Sequence, residues 1–444
     1  MIKIENDFPS SNLKEWLQQL EKDLTADQLK KLDSWDTFQD LKKNAILNSE
    51  NTTREASKIG QFPFTMGYGK KNMDLYNSQT IIVDEEKKSN SIALDYLMKG
   101  CSSLQFELKE IHEFKPEVLF NNIDFRFISC YVTLRNTQQY NIIKTYFEKN
   151  IPENFFFNYD YFEFQNNELW DLLIEDLRIK QFKSLIISAN CIHDSGANAT
   201  QELAFSLAVG NYYLNSLMSK GLTIDQALGC IHFSFGFSSD YLVEVSKIRA
   251  FRKVWSLMIS KYQPIHACSF VTHISAYTAL SNKSISEPYT NLLRQTVEVL
   301  AAIQAGVDVI NVIPYENLLE KMDRNFSSKM AINIPLILLE EGKINFEVDV
   351  LGGSYSIENI TGQLCKNSWE LFQKIEELGG IQNEESKNHL KLLITEKKLL
   401  KKSKMESKEL IFVGVNQYQT TNNLEIKMRN FPDYMDLPFF NIEM

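Results

Sequence analysis

Between about residues 90 and 380, short β-rich runs alternate with longer helical ones, and this alternation constrains the chain more than any other feature. The strand-like runs are Ser103–Leu108, Arg126–Leu134, Ser184–Ala189, Cys230–Phe237, Ala267–Ile274 and Val307–Pro314, each followed by a helical stretch. After Cys191 one helical stripe carries Leu203, Leu207, Gly210, Leu214 and Leu217; after Phe237 another carries Tyr241, Val245, Ile248, Phe251 and Trp255. A third, after Tyr289, carries Leu292, Thr296, Val299 and Ile303. Strand–helix alternation repeated this often means parallel β, as a doubly wound sheet or a closed barrel. Six units without a glycine-rich phosphate turn after the first strand favour an α/β, (β/α)8 TIM barrel.

Flanking segments complete the expected organisation: an N-terminal helical arm over residues 1–50, the barrel over 51–380, and a C-terminal extension over 381–444. In the arm, Leu13, Leu17, Leu20 and Leu24 recur at helical spacing and Trp16 joins them, so one face is apolar and the other charged. With no core of its own, such an arm packs on its own barrel or embraces a partner, and partner contact is the expectation. The Lys- and Glu-rich stretch at 381–411 reads as a solvated helix, and Leu410–Tyr418 as a short strand.

At 444 residues with 44% hydrophobic and 23% charged residues, the chain can bury a sizeable core. A net charge of −10 and no long basic run argue against nucleic acid or an anionic membrane surface as partner. No apolar run approaches the length of a membrane span and the first residues lack a signal-peptide core. Cys101, Cys130, Cys191, Cys230, Cys268 and Cys365 are scattered with no C-x-x-C pair, so reduced, buried thiols in a cytoplasmic setting are expected.

Catalytic motifs are missing. The six histidines, at 112, 193, 232, 266, 273 and 389, form no H-x-x-x-H or H-E-x-x-H pair, so no metal site is expected. No G-x-S-x-G elbow, no phosphate loop and no G-x-G-x-x-G occurs. The glycine pair in Asp349-Val-Leu-Gly-Gly-Ser354 reads as a tight loop.

Residue by residue, however, a series of segments follows the order of one known family. Asp7-Phe-Pro-Ser and Glu15-Trp-Leu-Gln-Gln-Leu-Glu-Lys-Asp-Leu24 are similar to the family's opening arm, and Gly60-Gln-Phe-Pro-Phe-Thr-Met-Gly67 to its P-[FY]-T-R-G turn. Ser188-Ala-Asn-Cys-Ile-His-Asp-Ser-Gly196, read as a strand end and polar turn, leads into Gln201-Glu-Leu-Ala-Phe-Ser-Leu-Ala208. Phe233-Ser-Phe-Gly-Phe237, Glu244–Trp255, Pro288–Arg294, Leu336–Glu341, Asp349–Glu358, Trp369–Gly380 and Val413-Gly-Val-Asn416 continue in the family's order. Together these segments resemble the methylmalonyl-CoA mutase family of acyl-CoA mutases, and the resemblance implies a barrel that threads acyl-CoA along its axis. It also implies a separate domain with a D-x-H-x-x-G histidine, laying adenosylcobalamin over the mouth for a radical 1,2-rearrangement of methylmalonyl-CoA and succinyl-CoA.

Several family positions are changed here. Cys191 stands where the catalytic histidine is, and a thiol cannot act as an imidazole toward a carbonyl. His193, two residues on, would point the same way in a strand-like stretch but displaced by roughly 6–7 Å; it reads as structural or interfacial. Met66 replaces the turn's arginine, Met73-Asp-Leu-Tyr-Asn77 lacks a further one, and Val271 replaces the one before Thr272-His273. Each change removes a bidentate partner for phosphate or carboxylate. No D-x-H-x-x-G occurs, and too few residues follow Val413-Gly-Val-Asn416 for a cobalamin-binding domain. The resemblance therefore implies a catalytically silent small subunit of an isomerase, with no catalytic, cofactor-binding or metal residues of its own. A homologous large subunit would hold acyl-CoA and adenosylcobalamin in a heterodimer. Phe233, Phe235, Phe237, Phe270 and Ile274 are the residues expected to fill the vacated barrel interior. The alternative is a competent acyl-CoA mutase barrel working with a separate cobalamin-binding chain; a retained acyl-CoA or regulatory site without catalysis is a third reading.

Overall fold

Eight strands close into a ring. The computed structural model describes residues 12–32, 34–36, 38–44, 46–50, 52, 59–69, 75–109, 114–148, 151–180, 182–319, 324–419 and 428–443. A small antiparallel hairpin of β1 (Ser34–Asp36) and β2 (Leu41–Lys43) comes first. The parallel strands follow: β3 (Tyr76–Val83), β4 (Ser103–Leu108), β5 (Ser129–Thr133), β6 (Phe155–Asn158), β7 (Leu185–Ser188), β8 (Ile231–Phe237), β9 (Ile274–Thr278) and β10 (Val309–Asn311). They pair in the order β6-β5-β4-β3-β10-β9-β8-β7, and a parallel bridge between Tyr159 and Leu185 joins the outer two. Consecutive strands are ring neighbours throughout and the helices lie outside, giving the (β/α)8 barrel that the alternation predicts.

Two strands escape a reading based on apolar runs. In β3 the outward Asn77 donates to the Ile332 carbonyl at 3.0 Å and Gln79 to that of Val312 at 3.1 Å. Backbone carbonyls thus take up the amide nitrogens of these buried side chains, although the Asn77 side-chain oxygen keeps no partner. β6, Phe155–Asn158, is also missed, although it is as long as β7.

Other expectations are corrected. The run Ala267–Ile274 is not a strand: Ala267–Phe270 form a 3-10 turn and β9 begins at Ile274. Ser269 donates to Asp225, and Phe270 packs on Phe62 and Phe64 with centroids 6.0 and 5.2 Å apart, so the apolar stretch is a tethered turn. Leu410–Tyr418 is likewise a loop. The Asn416 side chain accepts from Phe412 N at 2.7 Å and donates to the Met405 and Leu410 carbonyls at 2.8 and 2.7 Å. Among the described residues of the arm, helices run over Leu13–Asp23 and Ala26–Leu32, followed by the β1–β2 hairpin. Asp7-Phe-Pro-Ser, Met73, Asp74 and His112 lie outside the described residues.

The helix Ala199–Ser219 opens with a capping box between Asn198 and Gln201. It is buried nearly all round, as a helix must be when it lies between the barrel and a second helical layer. That layer is the helix Tyr355–Glu377, which also covers the helix Tyr241–Ser260. A side chain at Gly210 would place its Cβ 2.5 Å from Trp255 Cζ3, so the glycine sets how closely these helices approach.

Candidate functional site at the barrel mouth

Strand parity decides what reaches the axis of a closed barrel. On β8 the residues expected to fill the interior point outward instead. Phe233 meets Phe251 at 4.6 Å and Trp255 at 4.9 Å, Phe235 meets Phe251 at 4.9 Å, and Phe237 lies 5.2 Å from the Lys247 ammonium. Ile274 is buried with them in the layer between strands and helices, and Phe270 belongs to the turn beside Phe62 and Phe64. The expectation was off by one residue of register, which on a strand reverses the face.

Other aromatic groups close the axis. Tyr131 of β5 stacks on Phe156 of β6 at 4.7 Å, and Phe156 stacks on His273 at 5.2 Å. The Tyr131 hydroxyl and His273 Nε2 meet at 2.6 Å. His273 immediately precedes β9, which stands opposite β5 in the ring, so this contact crosses the barrel from wall to wall. Val309 and Tyr76 complete the plug. Beside it His232 donates to the Phe157 carbonyl at 3.1 Å, and burial holds its imidazole neutral, far below its ordinary pKa.

Above the plug lies a chamber of about 370 Å³, open toward the C-terminal ends of the strands, where barrels of this type carry their sites. Its strand-borne lining is rich in polar groups, Thr80, Gln105, Glu107, Thr133, Arg135, Asn158, Asp160, Ser188, Ser234 and Asn311 from inward strand positions or strand ends, with apolar Ile82, Ile186, Leu280 and Ile313 beside them. Tyr277 donates to Gln105 Oε1 at 2.6 Å, tying β9 to β4. Over the top run residues 428–443. Tyr434 donates to Asp160 Oδ2 at 2.8 Å, Phe440 N to the Asp194 carbonyl at 2.8 Å, and Ile442 N to that of Ser281 at 3.1 Å. Arg429, Phe431, Pro432 and Phe439 of this strap face the chamber.

Cys191 lines the chamber, but on a short helix, Ala189–Asp194, and not on a strand end or turn. Burial raises its thiol far above the usual range, and Glu163, Asp160, Asp194 and Glu107 push it the same way. A thiol so placed is inert as a nucleophile. Glu163 shows surface to the chamber yet is enclosed by protein, which raises its carboxyl to about 8. Burial also raises Glu107, opposed by the charges of Arg135 and Arg429, and Asp160, opposed by hydrogen bonds from Ser188, Tyr434 and backbone amides.

The helix also corrects the expected direction of His193. Residues two apart on a helix point to nearly opposite sides, so His193 turns away from Cys191. Its Nδ1 lies 3.2 Å from Glu202 Oε2. Glu202 also accepts from Lys247 Nζ at 2.7 Å and Gly236 N at 2.8 Å, and Lys247 pairs with Glu244 at 2.6 Å. This buried network ties three helices to β8. Its position is structural.

Met66 and Val271 fall together at the opposite, N-terminal end of the barrel, linked through the Phe64–Phe270 contact at 5.2 Å. Met66 is buried, with its sulfur 3.3 Å from Arg249 Nη1. Arg249 is itself committed to Asp349 and, at 2.6 Å, to Glu358. Val271 is half exposed and apolar. The sequence-predicted positions are thus split: Cys191 at one mouth, Met66 and Val271 at the other, with the plug between. Among the described residues no group of three His, Cys, Asp or Glu side chains is placed to hold a metal ion, and no helix is long and apolar enough to cross a membrane.

Residues 159–435 match the family model described as methylmalonyl-CoA mutase. The chain is 26% identical over 441 residues to the methylmalonyl-CoA mutase small subunit of Porphyromonas gingivalis, covering 94% of this chain and 71% of that one. It is 30% identical over 246 residues to a methylmalonyl-CoA mutase of Rhizobium meliloti, covering 55% of this chain but 34% of the relative. For the Escherichia coli methylmalonyl-CoA mutase the identity is 30% over 255 residues, with 57% and 36% covered. The chain therefore spans about a third of these last two relatives.

Proposed function

The chain belongs to the methylmalonyl-CoA mutase family, and from that premise we propose that it is a non-catalytic small subunit. In this reading a homologous large subunit interconverts methylmalonyl-CoA and succinyl-CoA, holding both acyl-CoA and adenosylcobalamin. The observation that carries the reading is the Tyr131–Phe156–His273 stack. An extended thioester threaded along the axis needs an open waist, and here two opposite walls touch at 2.6 Å. The N-terminal end of the axis agrees with this. The positions of two expected cationic contacts are Met66 and Val271, which offer no charge to an anionic acyl-CoA.

Residues at this mouth do not fit adenosylcobalamin. The strap occupies the face over the chamber through Tyr434 and Phe440, and the nearby imidazole, His193, is bound to Glu202.

We assign residues 1–50 to partner contact, 51–380 to the barrel and 381–444 to a supporting extension. The arm helix Leu13–Asp23 buries none of its side chains in its own chain, which favours an interface over self-packing. Six free cysteines suit a reducing cytoplasm. The reading is tested by calorimetry of the isolated full chain with succinyl-CoA, alongside reconstitution with a large subunit. No saturable binding by the chain, with turnover only in the assembled pair, is expected; tight binding would favour a competent barrel served by a separate cobalamin-binding chain.

A further inference from the structure

We propose that the turn Ser284–Ser286 is an oxyanion receptor at the barrel mouth, filled by the chain's own Glu443, and that this contact latches the strap of residues 428–443 over the chamber. This goes beyond the subunit reading and is tested apart from it.

The turn follows β9, the seventh strand of the ring, and loops after the seventh and eighth strands are where such barrels frequently hold phosphate. Its donors converge on one carboxylate. Glu443 Oε1 accepts from the Ser284 hydroxyl at 2.7 Å and the Ser286 hydroxyl at 2.8 Å, and Oε2 from Ile285 N at 2.9 Å and Ser286 N at 3.1 Å. Successive backbone N–H groups of this kind make an anion-binding concavity, and hydrogen bonds to an ionised acceptor are roughly twice as strong as neutral ones.

The receptor is held ready from behind. Asn291, fully buried, accepts from Ser284 N at 2.8 Å and donates to the Ser284 carbonyl at 2.7 Å. Glu287 N donates to the Ser284 hydroxyl at 2.9 Å, which directs the hydroxyl proton toward Glu443. Arg294 donates to Asn291 Oδ1 at 2.8 Å and sets a positive charge behind the turn that attracts Glu443.

The strap is anchored at both ends. At one, Arg429 N donates to the Leu318 carbonyl at 2.7 Å; at the other, Asn441 donates to the carbonyls of Leu280 and Lys283 at 3.1 and 3.0 Å, just before Glu443. Between them Phe431 stacks on Phe439 at 4.4 Å, and this arch covers the chamber that Cys191 lines. A second charged contact of the strap, Asp436 with Lys391 at 2.9 Å, is exposed on its Asp436 side and contributes little. Losing the Glu443 carboxylate therefore frees the end of the arch that keeps the chamber shut.

The test is hydrogen exchange by mass spectrometry on the full chain, with alkylation of Cys191 by iodoacetamide followed in parallel. Glu443→Gln keeps the side-chain shape but removes the charge and turns an amide N–H toward the donors. Peptides from 428–443 should exchange at least about tenfold faster in this variant. Cys191 should be alkylated faster to a similar degree, with peptides from β8 and β9 unchanged. Ser286→Ala, at an exposed position, removes one hydroxyl donor and should give a smaller acceleration of both. Thermal melts report whether each variant folds; if Glu443→Gln does not, Ser286→Ala decides alone. Unchanged strap exchange in a folded variant would overturn the proposal. Faster strap exchange without faster alkylation of Cys191 would also overturn it, because the latch would not then guard the chamber. So would acceleration spread evenly through β8 and β9, which would make Glu443 a general support of the fold.

Discussion

The Tyr131 hydroxyl and the His273 imidazole reach each other at 2.6 Å from opposite walls of the barrel, and Phe156 stacks against both rings. The waist is thus a packed aromatic layer. Phe156→Ala should cost about 3–5 kcal/mol by leaving a cavity there, whereas Tyr131→Phe should cost about 1 kcal/mol for the lost hydrogen bond. Urea unfolding of the two variants checks the order; equal losses would mean that the layer is not packed as described.

Gly236 faces His193 so closely that an added Cβ would lie 2.5 Å from the imidazole Cγ and 2.6 Å from its Cβ. Gly236→Ala is therefore expected to destabilise the fold by about 1–3 kcal/mol through overpacking. His193→Gly, which also removes the Cβ at 2.6 Å, should recover part of that loss in the double variant, since the two residues are in contact. Additive losses in a double-mutant cycle would refute this account.

Glu163 provides a pH signature. Its folded carboxyl titrates at about 8, while the unfolded one titrates near the ordinary value of about 4.3. Between these values the folded state holds a proton that the unfolded state has lost, so this group's contribution makes stability fall as pH rises, levelling off above about 8. Melting temperatures across that window should slope downward in the parent chain and less so in Glu163→Gln. A variant with the parent's slope would assign the effect to other groups.

Restoring the family histidine with Cys191→His should not restore turnover. Productive positioning can be worth roughly 7–11 kcal/mol of barrier, and this barrel offers neither an open axis nor cations at Met66 and Val271. The variant is to be assembled with a large subunit stripped of its own catalytic histidine. Mutase activity above that disabled background would show that acyl-CoA still reaches Cys191.

Removing residues 1–30 should weaken assembly with the large subunit. Leu17 is 46% exposed and no side chain of Leu13–Asp23 is buried, so the stripe is available to a partner. Unchanged co-purification after the deletion would return the arm to its own barrel.

Much of this architecture is legible in the residue pattern, and the failures have physical causes. Apolar runs located β4, β5, β7 and β8, because strands buried on both faces look hydrophobic throughout. The same property concealed which face was which: in Phe233-Ser-Phe-Gly-Phe237 the bulky residues look like core filling, and only the helix beyond them shows that they point outward. The plug was missed although Tyr131 and Phe156 occupy inward positions on adjacent strands, because His273 joins them from the residue just before β9, where the apolar run Ala267–Ile274 suggests a strand. The change at Cys191 was visible in the residues, but its helical setting was not, so His193 was aimed wrongly. The strap was invisible: nothing in the composition of 428–443 says that Tyr434 must find Asp160, 274 positions away in sequence.

The ring is sealed at one place more thinly than elsewhere. β6 and β7 share a single bridge, Tyr159 to Leu185, helped by backbone hydrogen bonds from Phe157 N to Lys183 O, Tyr159 N to Ser184 O and Ile186 N to Tyr159 O. Should those bonds part, two strand edges are bared at once, and one of them runs through Phe155-Phe156-Phe157. An unpaired apolar edge is a template for pairing with another chain. The aggregation hazard of this protein is therefore concentrated at the β6–β7 clasp, and whatever holds that clasp shut guards solubility as much as shape.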